Sequence, residues 1–269
     1  MHNSALVHPK EKLYFAISLT ISIFAYLGLV VSIFGILYVL FGSLLALFAH
    51  GVFMGAIRGN GVRVSPAQFP DVYETTQRLS REMGMREVPD VYIVQAGGML
   101  NAFATRFLGR NFVILYSDVV ELARQQGEDA LAFVICHELA HHYRKHTTRR
   151  LLLLPSMWVP FLGAAYSRAC EYTCDAFGAH YCGRGAVNGL LVLAAGKTLY
   201  REVNVEAFAQ QARDDSFFVW LSEKLTTHPH LPKRVAHAAR WVGSGRVQVG
   251  AIAPPPEAYV AQGYPAPAL

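Results

Sequence analysis

Residues 128–147 read EDALAFVICHELAHHYRKHT. Acidic residues stand at the start of this stretch, at Glu128 and Asp129, and basic residues stand near its end, at 144–146. This is the charge distribution that the dipole of a helix favours. The apolar run 131–135 leads into its centre. We therefore predict a single helix from Glu128 to about Thr147, with an apolar side buried in a domain core.

The centre of this helix carries the pattern His-Glu-x-x-His at residues 137–141. Side chains four residues apart lie on one face of a helix, so His137 and His141 can reach one metal ion. Glu138 lies about 100° around the helix and can approach a water on that metal. We predict that the two histidines bind one zinc ion per chain and that Glu138 is the general base. The alternative is a pair of solvated histidines on a polar helix face.

Two further histidines, His142 and His146, follow this pattern. On a continuous helix they lie about 100° and 140° around the axis from His141. We therefore predict that they contact solvent or lipid headgroups and do not bind the metal.

A catalytic zinc ion takes three protein ligands and keeps a fourth position open for water. Residues 167–180 are predicted to be helical, and Glu171 and Asp175 lie four residues apart there, on one face. One carboxylate can bind the metal while the other accepts a hydrogen bond from a ligand histidine. The alternatives are a solvated acidic helix face and, for the third ligand, the thiolate of Cys174.

The composition separates the chain from two classes of protein. Of its 269 residues, 53% are hydrophobic and only 16% are charged, with a mean hydropathy of +0.26 and a net charge of +5. Disordered chains and soluble nucleic-acid-binding proteins both need abundant surface charge. We therefore expect neither disorder across the chain nor a DNA or RNA partner.

Much of the low charge content comes from one stretch, Leu13 to Ile57, which contains no Lys, Arg, Asp or Glu. A bilayer span takes about 20 apolar residues, so this run is too long for one helix and suits two. We predict a transmembrane hairpin over 13–57 that turns between Gly28 and Gly35. The alternatives are a cleaved signal peptide and a pair of buried core helices.

Basic residues flank both ends of the hairpin, whereas the predicted turn has none. The positive-inside rule then places residues 1–12 and everything after Arg58 in the cytoplasm, with the chain crossing the cell membrane twice. The lipid bilayer is thus an expected partner. The flanking residues are Lys10, Lys12, Arg58 and Arg63.

The rest of the chain predicts an α+β domain over 58–246, mostly helical with a small β-sheet. Its strands include Val91–Val94 and Asn111–Tyr116. The stretch 151–166 is uncharged and broken by two prolines, so it is either a membrane-dipping, interfacial segment or a buried helical hairpin. Residues 247–269 are rich in proline and alanine and are predicted to form a flexible tail.

Four motifs together resemble the HtpX-like zinc metallopeptidases, which are gluzincins related to the CAAX prenyl proteases. They are Asn101-Ala-Phe-Ala-Thr105, the His-Glu-x-x-His pattern, Glu171-x-x-x-Asp175, and His228-Pro229 with Arg234. The resemblance implies a zincin-like fold and a membrane-bound enzyme at the cytoplasmic face. Two features depart from the family pattern: 151–166 is too short for two further membrane spans, and Arg106 stands where glycine is usual.

The resemblance also implies roles for individual residues. Glu171 is expected to be the third zinc ligand and Asp175 to lie behind the ligands. His228 is expected to stabilise the oxyanion, with Arg234 helping to order its loop. The substrate-binding edge is expected at Asn101, Ala102, Phe103, Ala104 and Thr105.

The expected substrates are peptides and proteins, in particular unfolded or damaged membrane proteins, cleaved by a metal-activated water. The alternative function is a catalytically silent, zinc-stabilised scaffold that binds membrane proteins without cutting them.

Overall fold

The computed structural model describes residues 2–97, 101–126, 128–214 and 216–243. The predicted tail at 247–269 and the last residues of the predicted domain, 244–246, lie outside the described residues.

Helices account for most of the described residues. They are α1 Pro9–Val31, α2 Ile33–Asn60, α3 Pro70–Glu82, α4 Ser117–Gln126, α5 Glu128–Tyr143, α6 His146–Leu152, α7 Leu162–Cys182, α8 Gly185–Leu199, α9 Val205–Gln210, α10 Phe217–Leu225 and α11 Leu231–Gly243. Short 3-10 turns lie at His2–Leu6, Pro155–Trp158, Tyr200–Glu202 and Gln211–Arg213.

The strands are β1 Val62–Arg63, β2 Asp90–Val94, β3 Ala102–Phe107 and β4 Arg110–Tyr116. In the described part of the chain they form one mixed sheet, in the order β1-β2-β4-β3. β2 runs parallel to β4, and the other two pairings are antiparallel. A two-residue turn joins β3 to β4, with φ of 45° at Leu108 and 84° at Gly109, which is the left-handed geometry that favours glycine in tight hairpins. The prediction of a mostly helical α+β fold is confirmed.

The main core lies where α5 packs between the sheet and α7. Val113 and Leu115 of β4, Ile135 and Leu139 of α5 and Phe177 of α7 are all buried there. On the far side, α7 and α8 approach Phe133 through glycines: a Cβ atom at Gly178 or Gly189 would lie 2.5 Å from its ring. The core therefore holds α5 rigidly against the helix that carries Glu171 and Asp175.

The two N-terminal apolar helices meet at Ser32, inside the predicted turn. The Ser32 hydroxyl accepts a hydrogen bond from the backbone nitrogen of Gly35 at 3.2 Å and caps α2. Pro9–Val31 and Phe34–Asn60 are long and apolar enough to cross a membrane, and few of their residues are buried in the protein. These helices indicate a membrane anchor. α1 begins at Pro9, before the predicted boundary at residue 13, and so includes the buried Glu11.

The helix that carries the His-Glu-x-x-His pattern was predicted to end at about Thr147, and this prediction is wrong. α5 ends at Tyr143, and Lys145 takes a left-handed conformation, with φ of 58°, before α6 begins at His146. A left-handed residue cannot continue a right-handed helix. The break changes the direction in which His146 points.

The stretch 151–166 lies along α1. The hydroxyl of Tyr26 donates to the carbonyl of Leu151 at 3.1 Å, and the backbone nitrogen of Ser156 donates to the hydroxyl of Ser22 at 3.3 Å. Leu151 and Trp158 are 65% and 90% exposed. A buried helical hairpin is therefore wrong for this stretch, because several of its large apolar side chains face outward.

Candidate metal centre

Three side chains from two helices converge at one point. The Nε2 atoms of His137 and His141, one turn apart on α5, lie 3.3 Å from each other. Glu171 reaches them from α7: its Oε2 atom lies 3.4 Å from Nε2 of His137, and its Oε1 atom lies 3.3 Å from Nε2 of His141. Because α5 and α7 pack directly on each other, the core itself sets this spacing.

The dimensions of this triangle fit a tetrahedral metal ion. Ligand atoms about 2.1 Å from a tetrahedral ion are about 3.4 Å from one another. The two histidine nitrogens are 3.3 Å apart, and each lies 3.3 to 3.4 Å from a different oxygen of Glu171, so the three side chains are close to that spacing. Two imidazole nitrogens and a carboxylate are also a donor set that zinc accepts. The residues present therefore fit a metal site that is open on one side.

Cys174 also lies near this triangle. Its Sγ atom and one ring nitrogen from each of His137 and His141 lie within 4.8 Å of one another, and Sγ is 3.8 Å from Nδ1 of His146. Burial and the charge of Glu171 raise the pKa of the Cys174 thiol well above its usual range. Glu171 therefore suits the third ligand position better than Cys174.

The triangle opens into a cavity of about 230 Å³. Glu138 lines it beside the two histidines, and its side chain is buried. His228 lines the mouth, where its side chain is 65% exposed and its Nε2 atom lies 3.6 Å from Oε1 of Glu171. Another wall comes from the stretch along α1 and its neighbours, through Arg150, Met157 and Tyr166.

β3 is an edge strand, and one side of its backbone faces away from the sheet. The backbone nitrogen of Tyr116 donates to the carbonyl of Asn101 at 3.1 Å, so these residues are a hydrogen-bonded pair. Such pairs alternate along an antiparallel ladder. The register therefore turns the N–H and C=O groups of Ala102, Ala104 and Arg106 toward the free edge.

Two of these three residues have groups that are already engaged. The side-chain Oδ1 of Asn101 accepts a hydrogen bond from the nitrogen of Ala102 at 2.9 Å. The carbonyl of Arg106 lies 3.2 Å from Nε2 of His50 on α2. Within the described part of the chain, Ala104 is the edge residue that keeps both backbone groups available.

The predicted substrate-binding stretch divides accordingly. Ala102, Phe103 and Ala104 line the cavity. Asn101 and Thr105 are not among its described lining residues, and Thr105 pairs with Phe112 inside the sheet.

Behind the triangle, Asp175 holds His137 and is itself held by Arg234. Oδ1 of Asp175 lies 3.0 Å from Nδ1 of His137. Arg234 binds both oxygens of Asp175, from Nε at 2.8 Å and from Nη2 at 2.7 Å, and its Nη2 atom lies 3.4 Å from Oε2 of Glu171. Burial disfavours protonation of His137, but hydrogen bonding to Asp175 and Glu171 outweighs it and raises the pKa of His137 to about 10 in the metal-free protein.

A comparison with protein families identifies the chain. The model of peptidase family M48 matches residues 66–160 and 152–242, well over half of the chain. The chain belongs to peptidase family M48. It is therefore a metallopeptidase, and the resemblance to the HtpX-like and CAAX protease group is confirmed. The two matched segments overlap within the stretch that lies along α1. No curated protein and no solved structure matches the chain significantly.

In this M48 peptidase, the loop that carries His228 is held by a residue that the motifs do not include. Nη1 of Arg168 donates to the carbonyls of Glu223, Lys224 and Thr226 at 2.7, 3.2 and 2.7 Å. These carbonyls lie at the end of α10, immediately before His228. The contacts of Arg234 lie instead behind the ligands.

The prediction that His142 and His146 contact solvent or headgroups is wrong. Both are buried, and burial lowers the pKa of each to about 4, so both are neutral near pH 7. Nε2 of His142 lies 2.9 Å from the carbonyl of Phe112, and Nδ1 of His146 lies 3.2 Å from Nδ1 of His141. In this M48 chain the break at Lys145 turns His146 toward the ligand. A single-helix projection could not show that.

Proposed function

We propose that this metallopeptidase is a membrane-anchored zinc endopeptidase that cleaves peptide bonds of unfolded or damaged membrane proteins. The observation that carries the proposal is the open triangle of His137, His141 and Glu171 beside Glu138. A structural metal site has no need of an open side or of a neighbouring carboxylate base. The family supports the peptidase class, and the donor set supports zinc.

The proposed chemistry divides between the ion and the chain. Zinc held by the three ligands supplies Lewis-acid chemistry, which polarises the scissile carbonyl and makes water more acidic. Glu138 takes a proton from the attacking water as the new C–O bond forms, and passes it to the leaving amine as the C–N bond breaks. His228, at the mouth of the cavity, is proposed to donate a hydrogen bond to the oxyanion.

The substrate is proposed to bind as an added strand on β3. Ala104 offers one N–H and one C=O group to an extended peptide, and the small side chains of Ala102 and Ala104 leave room beside the cavity. Recognition through the backbone gives weak sequence selectivity. It suits segments that have lost their own fold.

The bilayer is proposed to lie against one wall of the active site. α1 and α2 span it, and the basic residues at both ends of the hairpin favour a cytoplasmic catalytic domain. The exposed Leu151, Leu152 and Trp158 lie along α1 and are proposed to enter the interface. Met157, in the same stretch, lines the cavity. A substrate could thus reach the ligands from the membrane surface.

Two measurements test the proposal. Removal of metal by a chelator should abolish cleavage of an unfolded membrane protein, and one equivalent of zinc should restore it. Failure of zinc to restore activity contradicts the assigned metal.

The orientation in the membrane has its own test. A reporter fused after Arg58 in the native membrane should be cytoplasmic, and an extracytoplasmic reporter contradicts the orientation.

A further inference from the structure

Glu11 is a carboxylate buried among charged and polar groups from α6, from α7 and from the turn between α5 and α6. It is the only acidic residue among the first 70, and its residue is 0% exposed. Its Oε1 atom accepts a hydrogen bond from Nη2 of Arg144 at 2.8 Å and lies 3.4 Å from Nη1 of Arg149. Its Oε2 atom accepts a hydrogen bond from the hydroxyl of Thr173 at 2.6 Å. The first turn of the first apolar helix is thereby tied to the elements beside the metal centre.

The same carboxylate reaches the metal centre through His146. Oε1 of Glu11 lies 3.3 Å from Nε2 of His146. On the other side of that ring, Nδ1 of His146 lies 3.2 Å from Nδ1 of His141. The Nε2 atom of His141 then faces His137 and Glu171. Two imidazole rings, those of His146 and His141, therefore connect Glu11 to the ligand triangle. In each ring, one nitrogen faces the side of Glu11 and the other faces the side of the metal centre.

This arrangement favours one nitrogen of each ring as the site of the proton. A carboxylate can only accept, so it favours a proton on Nε2 of His146 and leaves the lone pair of its Nδ1 atom free. That lone pair can accept from Nδ1–H of His141, which leaves the Nε2 lone pair of His141 directed at the metal. We propose that Glu11 and His146 are positioning residues that hold His141 in its metal-binding tautomer and orientation.

The other ligand histidine has a comparable support. Asp175 lies 3.0 Å from Nδ1 of His137 and is anchored by Arg234. Glu11 is anchored by a single hydrogen bond from Arg144 to its Oε1 atom, and it acts through an intervening ring. Such supports behind a ligand change metal affinity about 10- to 100-fold when they are removed. The inference rests on the proposed function, because it requires His141 to bind the metal.

A merely structural role for Glu11 makes a different prediction. Glu11 also neutralises Arg144, so its loss could destabilise the fold without any effect passing through His146. The two roles separate in a double-mutant cycle on metal affinity. The full-length protein in nanodiscs is stripped of metal, checked for folding by thermal unfolding, and titrated with Zn²⁺ against a chromophoric chelator. Co²⁺ absorption reports the ligand geometry of each variant.

Four variants carry the test. Glu11→Gln and His146→Leu should each weaken Zn²⁺ binding about tenfold or more and change the Co²⁺ spectrum. His146→Asn places an acceptor near the position of Nδ1 and should retain most of the affinity. Glu74→Gln, at an exposed position on α3, is the matched control and should bind like the wild type.

The combined variant decides the matter. In the His146→Leu background, Glu11→Gln should weaken Zn²⁺ binding no further, because its effect passes through the missing ring. Additive losses, or unchanged Zn²⁺ affinity in a folded Glu11→Gln protein, overturn the inference and leave the proposed function standing. Failure of the wild type itself to bind Zn²⁺ overturns the proposed function.

Discussion

Oδ1 of Asp175 lies 3.0 Å from Nδ1 of His137, on the side of the ring that faces away from the active-site cavity. A carboxylate in that position keeps a proton on Nδ1 and directs the Nε2 lone pair at the metal. Because Arg234 holds both oxygens of Asp175, the carboxylate cannot turn away without losing two charge-assisted hydrogen bonds.

Asp175→Asn should therefore weaken Zn²⁺ binding about 10- to 100-fold without changing the fold. The amide keeps the shape of the side chain but loses the charge that holds both His137 and Arg234. Zn²⁺ affinity is measured by competition with a chelator. Asp90→Asn, which removes ion pairs on the protein surface, is the control. Equal Zn²⁺ affinities for Asp175→Asn and the wild type would show that Asp175 does not support the ligand.

A second prediction concerns the edge strand. Ala104→Pro removes the N–H group that faces the free edge and should raise KM for an unfolded substrate about 5- to 10-fold, the equivalent of one hydrogen bond. Metal content should be unchanged, because Ala104 is not a ligand. Ala104→Ser keeps the N–H group and serves as the control. A KM equal to that of Ala104→Ser contradicts strand addition at this residue.

The pH dependence of stability should show the ion pair across the base of the His228 loop. Nζ of Lys233 lies 2.6 Å from Oε2 of Glu223. Burial acts to raise the pKa of Glu223, but the hydrogen bond and charge of Lys233 outweigh it, so the pKa is lowered. A lowered pKa stabilises the fold above the ordinary glutamate pKa, and that contribution is lost as pH falls through the folded value.

Glu223→Gln should accordingly lower the free energy of unfolding by about 0.5 kcal/mol at pH 7. The difference from the wild type should shrink as the pH falls below about 4. Chemical unfolding at several pH values measures it, with Glu206→Gln on α9, an exposed position, as the control. A difference that is the same at pH 7 and at low pH would contradict the ion-pair account.

The membrane position of the stretch along α1 can be measured through Trp158. In a protein whose other tryptophans, Trp220 and Trp241, are replaced by Phe, brominated lipids should quench Trp158 fluorescence in liposomes. Because Trp158 is 90% exposed, the protein does not screen its ring from quenchers in the surroundings. A Trp158 that is quenched by aqueous iodide and not by brominated lipid contradicts insertion.

Local patterns in the sequence predicted the parts of the site that lie on regular helices. The spacing of four placed His137 and His141 on one face, and the same spacing put Glu171 and Asp175 together on α7, because helical geometry alone determines those relations. The hairpin turn was also predictable, since Ser32 lies midway along a charge-free run of known length.

The other parts of the site depend on a break between helices and on contacts between residues far apart in the sequence, which local patterns do not predict. The left-handed Lys145 changes the direction in which His146 points, and no local pattern predicts a positive φ at a lysine. Glu11 meets His146 across more than a hundred residues of sequence. The only feature of the sequence that drew attention to Glu11 was its position as an isolated acidic residue beside a long apolar run. β3 was not predicted as a strand, because only its pairing with β4 makes the stretch from Ala102 extended.

A metal ion at His137, His141 and Glu171 is proposed to work with Glu138 to cleave peptide bonds. The direct measurement is the cleavage rate of an unfolded membrane protein by the wild type and by Glu138→Gln, both in nanodiscs and at equal measured zinc content. We predict one zinc ion per chain in both proteins and a rate for Glu138→Gln about 10²- to 10⁴-fold lower. Equal rates, or zinc-loaded wild type that cleaves nothing, would contradict the account and favour a scaffold without catalysis.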